Sequence, residues 1–64
     1  MNIGDNIKRI RERKNMSRKE LYLGAGISAT TLFRIENNKL KYIDPIKMQQ
    51  IAQCLEVDLS VLLS

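Results

Sequence analysis

Apolar residues recur along this chain at helical intervals, in five short stretches separated by polar or glycine-containing breaks. Ile3, Ile7 and Ile10 follow one another at spacings of four and three, which places them on one face of a helix over residues 3–14. Lys8, Arg9, Glu12 and Arg13 fall largely on the opposite side. Asn2 stands at the capping position, with Asp5 in the first turn and Lys14 in the last, as the helix dipole favours. Asn15–Met16 is the link, and Met16 is expected to pack beneath it.

The next stretch, Ser17 to Asn37, reads as two short helices, about 18–25 and 29–37, joined by a tight turn. Ser17 offers a hydroxyl to the unpaired N–H groups of the first turn, and Glu20 three residues on completes a capping box. Gly24 and Gly26 interrupt the first helix, and Gly26 suits a chain leaving a helix at positive φ. Ser28 caps the second helix at once. Leu21, Ile27, Leu32 and Ile35 are the apolar positions that press this pair together and onto its neighbours. Ala29, Thr30, Phe33 and Arg34 lie on the outward arc. Phe33 among polar neighbours either fills a gap in the core or meets a partner such as a thymine methyl.

Asn38 to Ile43 is a polar, basic loop with Leu40 tucked in. Asp44–Pro45 is a start signal, a capping acid followed by proline at the first helical position. The helix over about 45–55 carries Met48, Ile51, Ala52 and Leu55 on one stripe, and Cys54 reads as a small filler. Val57 leads to a last short helix capped by Asp58, in which Leu59, Leu62 and Leu63 are apolar. The expectation is an all-α bundle of five short helices forming one domain over residues 1–64.

Composition narrows the chemistry. The 64 residues include one cysteine and no histidine, so a disulfide framework, the commonest general base and the commonest metal ligand are all missing. There are no paired carboxylates, phosphate loop or nucleophile motif, which argues against an enzyme. No apolar run approaches the roughly 20 residues of a membrane span, and residues 1–15 do not resemble a signal peptide. A lone thiol fits a reducing compartment, and a cytoplasmic location is expected.

Charge adds a direction. The net charge is +4, but ten lysines and arginines against four acids precede Asp44, and one against three follow from it. One end of the chain is therefore basic enough to face a polyanion, although a simply solvated surface has the same composition. Two capped helices around a short glycine-containing turn, in such a chain, are the outline of a DNA-reading helix-turn-helix at about residues 17–37.

The chain resembles the Cro and lambdoid-repressor type of helix-turn-helix domain, the xenobiotic-response-element family, over about residues 3–63. The carriers are Ile3-Gly4, Ile7-Lys8 and Arg11, then Ser17-Arg18-Lys19-Glu20-Leu21 and Gly26-Ile27-Ser28. They continue with Thr31-Leu32, Arg34-Ile35-Glu36-Asn37, Ile51-Ala52, Leu55, Val57, Leu59 and Leu62-Leu63. The resemblance implies a sequence-specific DNA-binding regulator, a repressor by expectation, that works as a homodimer on double-stranded DNA. It implies no cofactor, no metal, no membrane and no small-molecule ligand.

Position by position, the resemblance implies that helix 29–37 enters the major groove with Ala29, Thr30, Phe33 and Arg34 at base edges. It assigns Arg18, Ser28, Thr31, Asn37, Lys39 and Lys41 to phosphates, which set register without specifying sequence. It pairs Arg11 with Glu36 as a structural ion pair. Three positions depart from the family's pattern. Tyr22 stands where a small residue is usual, Arg18 where glutamine is common, and Glu56 where glycine usually ends the fourth helix. Leu59, Leu62 and Leu63 are candidates for a dimer interface, or else close the core. The alternative function is a small helical interaction module, such as an antitoxin or assembly factor, whose basic face meets an acidic protein.

Overall fold

The computed structural model describes residues 2–64. Its helices are α1 (Ile3–Arg13), α2 (Arg18–Ala25), α3 (Ala29–Glu36), α4 (Pro45–Leu55) and α5 (Leu59–Leu63), and no strand occurs among the described residues. The five expected helices are all present, with α1 and α3 one residue shorter at their C-terminal ends than the sequence pattern suggests.

Four of the five helix starts are closed by a side chain. Ser17, Ser28, Asp44 and Asp58 each accept from a backbone N–H of the following turn. Such caps matter in elements this short, because isolated helices of this length are unstable in water and each cap contributes about 1 kcal/mol. Asn2 occupies the capping position of α1 with extended backbone, but its side chain makes no capping bond. That helix is held instead by its buried face.

The helices end in ways the sequence only partly announced. Gly26 takes the left-handed conformation after α2, as expected. Asn15, Asn38 and Glu56 also adopt positive φ, at 55°, 57° and 58°. Asparagine tolerates this region, whereas glutamate does so only when the surrounding chain over-determines it. The corner after α4 therefore keeps its usual turn and places Glu56 there in place of glycine.

Ile7, Leu21, Leu32, Ile35, Ile51, Leu55 and Leu62 are fully buried, one or more from every helix, with Ile10, Ala25 and Ala52 beside them. Burying each large aliphatic side chain contributes roughly 1.5–3 kcal/mol, so a short chain with no disulfide depends on all of them. α2 packs on α4, and α1 packs on both α3 and α5. Met16, Tyr22, Ile27, Cys54, Val57 and Leu59 close the periphery. Tyr22 is half-buried against this core.

Two expectations need correction. Leu62 is fully buried, so it closes the core and presents no surface to a partner; Leu63, 59 % exposed, is the outward leucine of α5. The helical period turns adjacent residues about 100° apart, which separates the two. Leu40 is not tucked in as expected but more than a third exposed, at the rim of a groove of about 470 Å³. The loop from Asn38 to Ile43 has no regular structure to hold Leu40 inward.

Candidate nucleic-acid interface

The junction of α2 and α3 is built from local bonds. The Ser17 hydroxyl accepts from the Glu20 N–H at 3.0 Å, and the Ser17 N–H donates to Glu20 Oε1 at 2.8 Å. The Ser17 N–H, and after it the Ser17 hydroxyl, hold the Glu20 carboxyl below the usual glutamate range. At the other end the Ile27 N–H reaches the Tyr22 carbonyl at 3.0 Å, and the Gly26 N–H reaches that of Leu23 at 3.3 Å. This is a Schellman closure around a left-handed glycine, and it turns the chain sharply. Ser28 then accepts from the Thr31 N–H at 3.0 Å and donates to Thr31 Oγ1 at 2.8 Å. Two helices are thus locked at a fixed angle by a connection of three residues, Gly26 to Ser28.

The faces of α3 sort cleanly. Leu32, Ile35 and Glu36 point into the body, while Ala29, Thr30, Phe33 and Arg34 are exposed. Phe33 is 51 % exposed, which decides between the two readings left open for it: it belongs to the outer ridge, not the core. Thr31 is half-buried, and Ser28, Asn37, Lys39 and Lys41 are exposed around the ridge. Beyond α3, Asn37 Nδ2 donates to the Phe33 carbonyl at 2.8 Å, and the Lys39 N–H donates to the Arg34 carbonyl at 2.9 Å. Asn38 Nδ2 donates to Asp5 Oδ1 at 3.1 Å, tying the loop to the first turn of α1.

Arg11 and Glu36 meet as an ion pair inside the fold. Arg11 Nε lies 2.7 Å from Glu36 Oε2, and Arg11 Nη2 lies 3.2 Å from Oε1. Arg11 Nη1 also donates to the Met16 carbonyl at 2.9 Å, so each nitrogen of the guanidinium has a protein acceptor. Arg18, on the first turn of α2, places its Nε 3.2 Å from the same Glu36 Oε1.

Two buried residues of α1 have structural roles that the apolar pattern did not assign. Asn6 is fully buried, and its Nδ2 donates to the carbonyls of Leu62 and Ser64, each at 2.9 Å. Gly4 is buried where α1 crosses the end of α3; a Cβ there would lie 2.1 Å from the Ile35 carbonyl oxygen. Both were findable, since Asn6 follows Ile3 by three and Gly4 precedes Ile7 by three, on the same apolar face.

Among known proteins, the helix-turn-helix family matches residues 7–62. The crystal structure of SinR, the master regulator for biofilm formation, in complex with DNA is 31 % identical, covering 97 % of this chain and 98 % of that one, with a TM-score of 0.91. The N-terminal DNA-binding domain of SinR from Bacillus subtilis is also 31 % identical, covering 97 % and 90 %, with a TM-score of 0.90. No curated protein matches the chain. The matched segment contains the whole of the capped pair α2 and α3, the ridge on α3 and the Arg11–Glu36 bond beneath it, and the chain belongs to the helix-turn-helix family.

Proposed function

We infer that this chain acts as a single domain and is a sequence-specific DNA-binding transcriptional regulator, working as a repressor in the cytoplasm. The observation that carries the reading is the outward ridge of Ala29, Thr30, Phe33 and Arg34 on a helix held at both ends, in a member of this family. Placed in a major groove, Arg34 takes a guanine through a bidentate pair and Phe33 takes a thymine methyl. Arg18, Ser28, Thr31, Asn37, Lys39 and Lys41 surround the ridge as the phosphate contacts, setting register while the ridge specifies sequence. The solved relatives support this, one being a DNA complex and the other a DNA-binding domain.

A homodimer fits the same reading, because two recognition helices roughly 34–36 Å apart read successive turns of one face of the duplex. The exposed Leu63 lines a groove with Ile3, Leu40, Tyr42, Ile43 and Met48, edged by Asn2, Asn38 and Lys41, and is the leucine of α5 left to meet a second copy.

Selection of duplexes from a random pool tests the function. The expected result is one enriched, two-fold-related motif, bound roughly 10³-fold or more tightly than random duplex. Affinity should fall steeply with salt, with a log–log slope of about −0.9 for each phosphate neutralised. Equal affinity for every duplex and a flat salt response overturn the reading in favour of a protein-interaction module.

A further inference from the structure

We propose that Glu36 is a positioning residue for Arg18, presenting the outer edge of that guanidinium to a DNA phosphate. The inference rests on the DNA-binding reading above. The Glu36 side chain is fully buried and accepts three bonds, two from Arg11 and one from Arg18. The two arginines are used differently. Arg11 is buried and spends Nε, Nη1 and Nη2 on protein acceptors. Arg18 engages through Nε alone, its two Nη groups take no protein partner among the described residues, and its side chain is 49 % exposed.

The chemistry follows from that asymmetry. Arg11 already neutralises the Glu36 carboxylate, so the charge of Arg18 remains available to an anion. Because Arg18 is half-exposed and Glu36 is already paired with Arg11, this second bond adds little to stability. What the Nε bond does is fix the plane of a long, rotamer-rich side chain before any ligand arrives, which lowers the ordering cost of binding. A guanidinium held by Nε still offers a two-pronged edge to phosphate oxygens, and lysine has no such geometry. The carboxylate that anchors it stands at the last residue of the recognition helix, so the backbone grip at the start of α2 and the placement of α3 share one buried group.

The test compares Arg18→Lys, Arg18→Gln and the parent chain on the duplex enriched by selection, across a salt series. A single ammonium reaches Glu36 or the phosphate but not both. Arg18→Lys should therefore lose about tenfold in affinity per bound copy despite conserving charge, come within about twofold of Arg18→Gln, and share its salt slope, shallower than the parent's by about 0.9 for each copy bound. Circular dichroism should show both variants as fully folded as the parent. The Nε–H resonance of Arg18 supplies a readout independent of DNA: it should be resolved and slowly exchanging in the free parent. Arg18→Lys binding like the parent with an unchanged slope, or an Arg18 Nε–H averaged with solvent, overturns the proposal. A parent that prefers no duplex at all overturns the regulator reading itself, whatever the resonance shows.

Discussion

Gly24 lies directly against Cys54: a Cβ built on Gly24 would stand 2.5 Å from the Cys54 sulfur and 3.9 Å from its Cβ. The close approach of α2 to α4 depends on hydrogen facing sulfur at this point. A Gly24→Ala substitution gains helix propensity, about 1 kcal/mol for a helical interior and less near an end. Against the thiol that gain is cancelled by overlap, which costs typically 1–3 kcal/mol in a packed site. Gly24→Ala should therefore be neutral to destabilising in the parent and stabilising in a Cys54→Ala background. Urea melts of the four members of the cycle decide it, and additive effects would show that the two residues do not share this space.

Gly4 and Gly26 should respond differently to alanine. At Gly4 the obstacle is the backbone oxygen of Ile35, which has no rotamer to change, so Gly4→Ala should cost at least about 3 kcal/mol and displace α1 from α3. At Gly26 nothing lies within 4 Å, and only the left-handed backbone at φ 72° opposes a side chain. Gly26→Ala should cost about 1 kcal/mol. Thermal melts that rank the two in the opposite order would contradict both assignments.

Removing Arg11 leaves a fully buried carboxylate with only the half-exposed Arg18 beside it. Arg11→Met should destabilise the fold by about 3 kcal/mol, lowering Tm by roughly 10 °C or more in a domain of this size. If the variant melts with the parent and yet fails to bind DNA, Arg11 is a reader and not a strut.

Ridge and rim substitutions should separate by what they change. Phe33→Ala and Arg34→Ala should leave melting within about 0.5 kcal/mol of the parent, since both side chains are exposed. Each should relax the preference at one base pair by about 1–3 kcal/mol. Lys39→Ala and Lys41→Ala should instead weaken all duplexes alike and make the salt slope shallower by about 1 each for every copy bound. Repeating the duplex selection with each variant distinguishes the two behaviours.

Acid should loosen the starts of α2 and α5 first. The Ser17 N–H, and then the Ser17 hydroxyl, hold the Glu20 carboxyl below its ordinary range; the Ser60 hydroxyl, and then the Ser60 N–H, do the same for Asp58. A carboxylate whose folded value is depressed contributes stability above its unfolded value and loses it as the pH falls through the folded one. The loss should therefore come in the acid range below the ordinary carboxylate values. Glu20→Gln and Asp58→Asn should each flatten the acid limb of a plot of Tm against pH.

Most of the fold was legible because its signals are local. Capping serines and aspartates, a glycine after α2 and a proline opening α4 announce themselves within a few residues, and apolar spacing assigns the inner faces. The Phe33 ridge was harder, since a shift of one residue in the helix start rotates the side chain by about 100°. Leu62 and Leu63 show the same limit: both are leucines in a five-residue helix, and only packing against α1 and α4 decides which is inside. Helical spacing places Gly4 and Asn6 on the inner face of α1, but what they meet there, like the Arg18–Glu36 bond, depends on pairs distant in sequence, for which a single chain carries no local signature.

Asn6 grips the main chain of α5 across 56 and 58 positions, so one amide side chain joins the two ends of the molecule. Closing so large a loop comes at a higher entropic cost than any neighbouring contact, and it is repaid only once the other helices have gathered. The final helix should thus dock late in folding and detach early under denaturant. Its departure would uncover the buried amide of Asn6 and the socket left by Leu62, making this clasp the place where global unfolding begins.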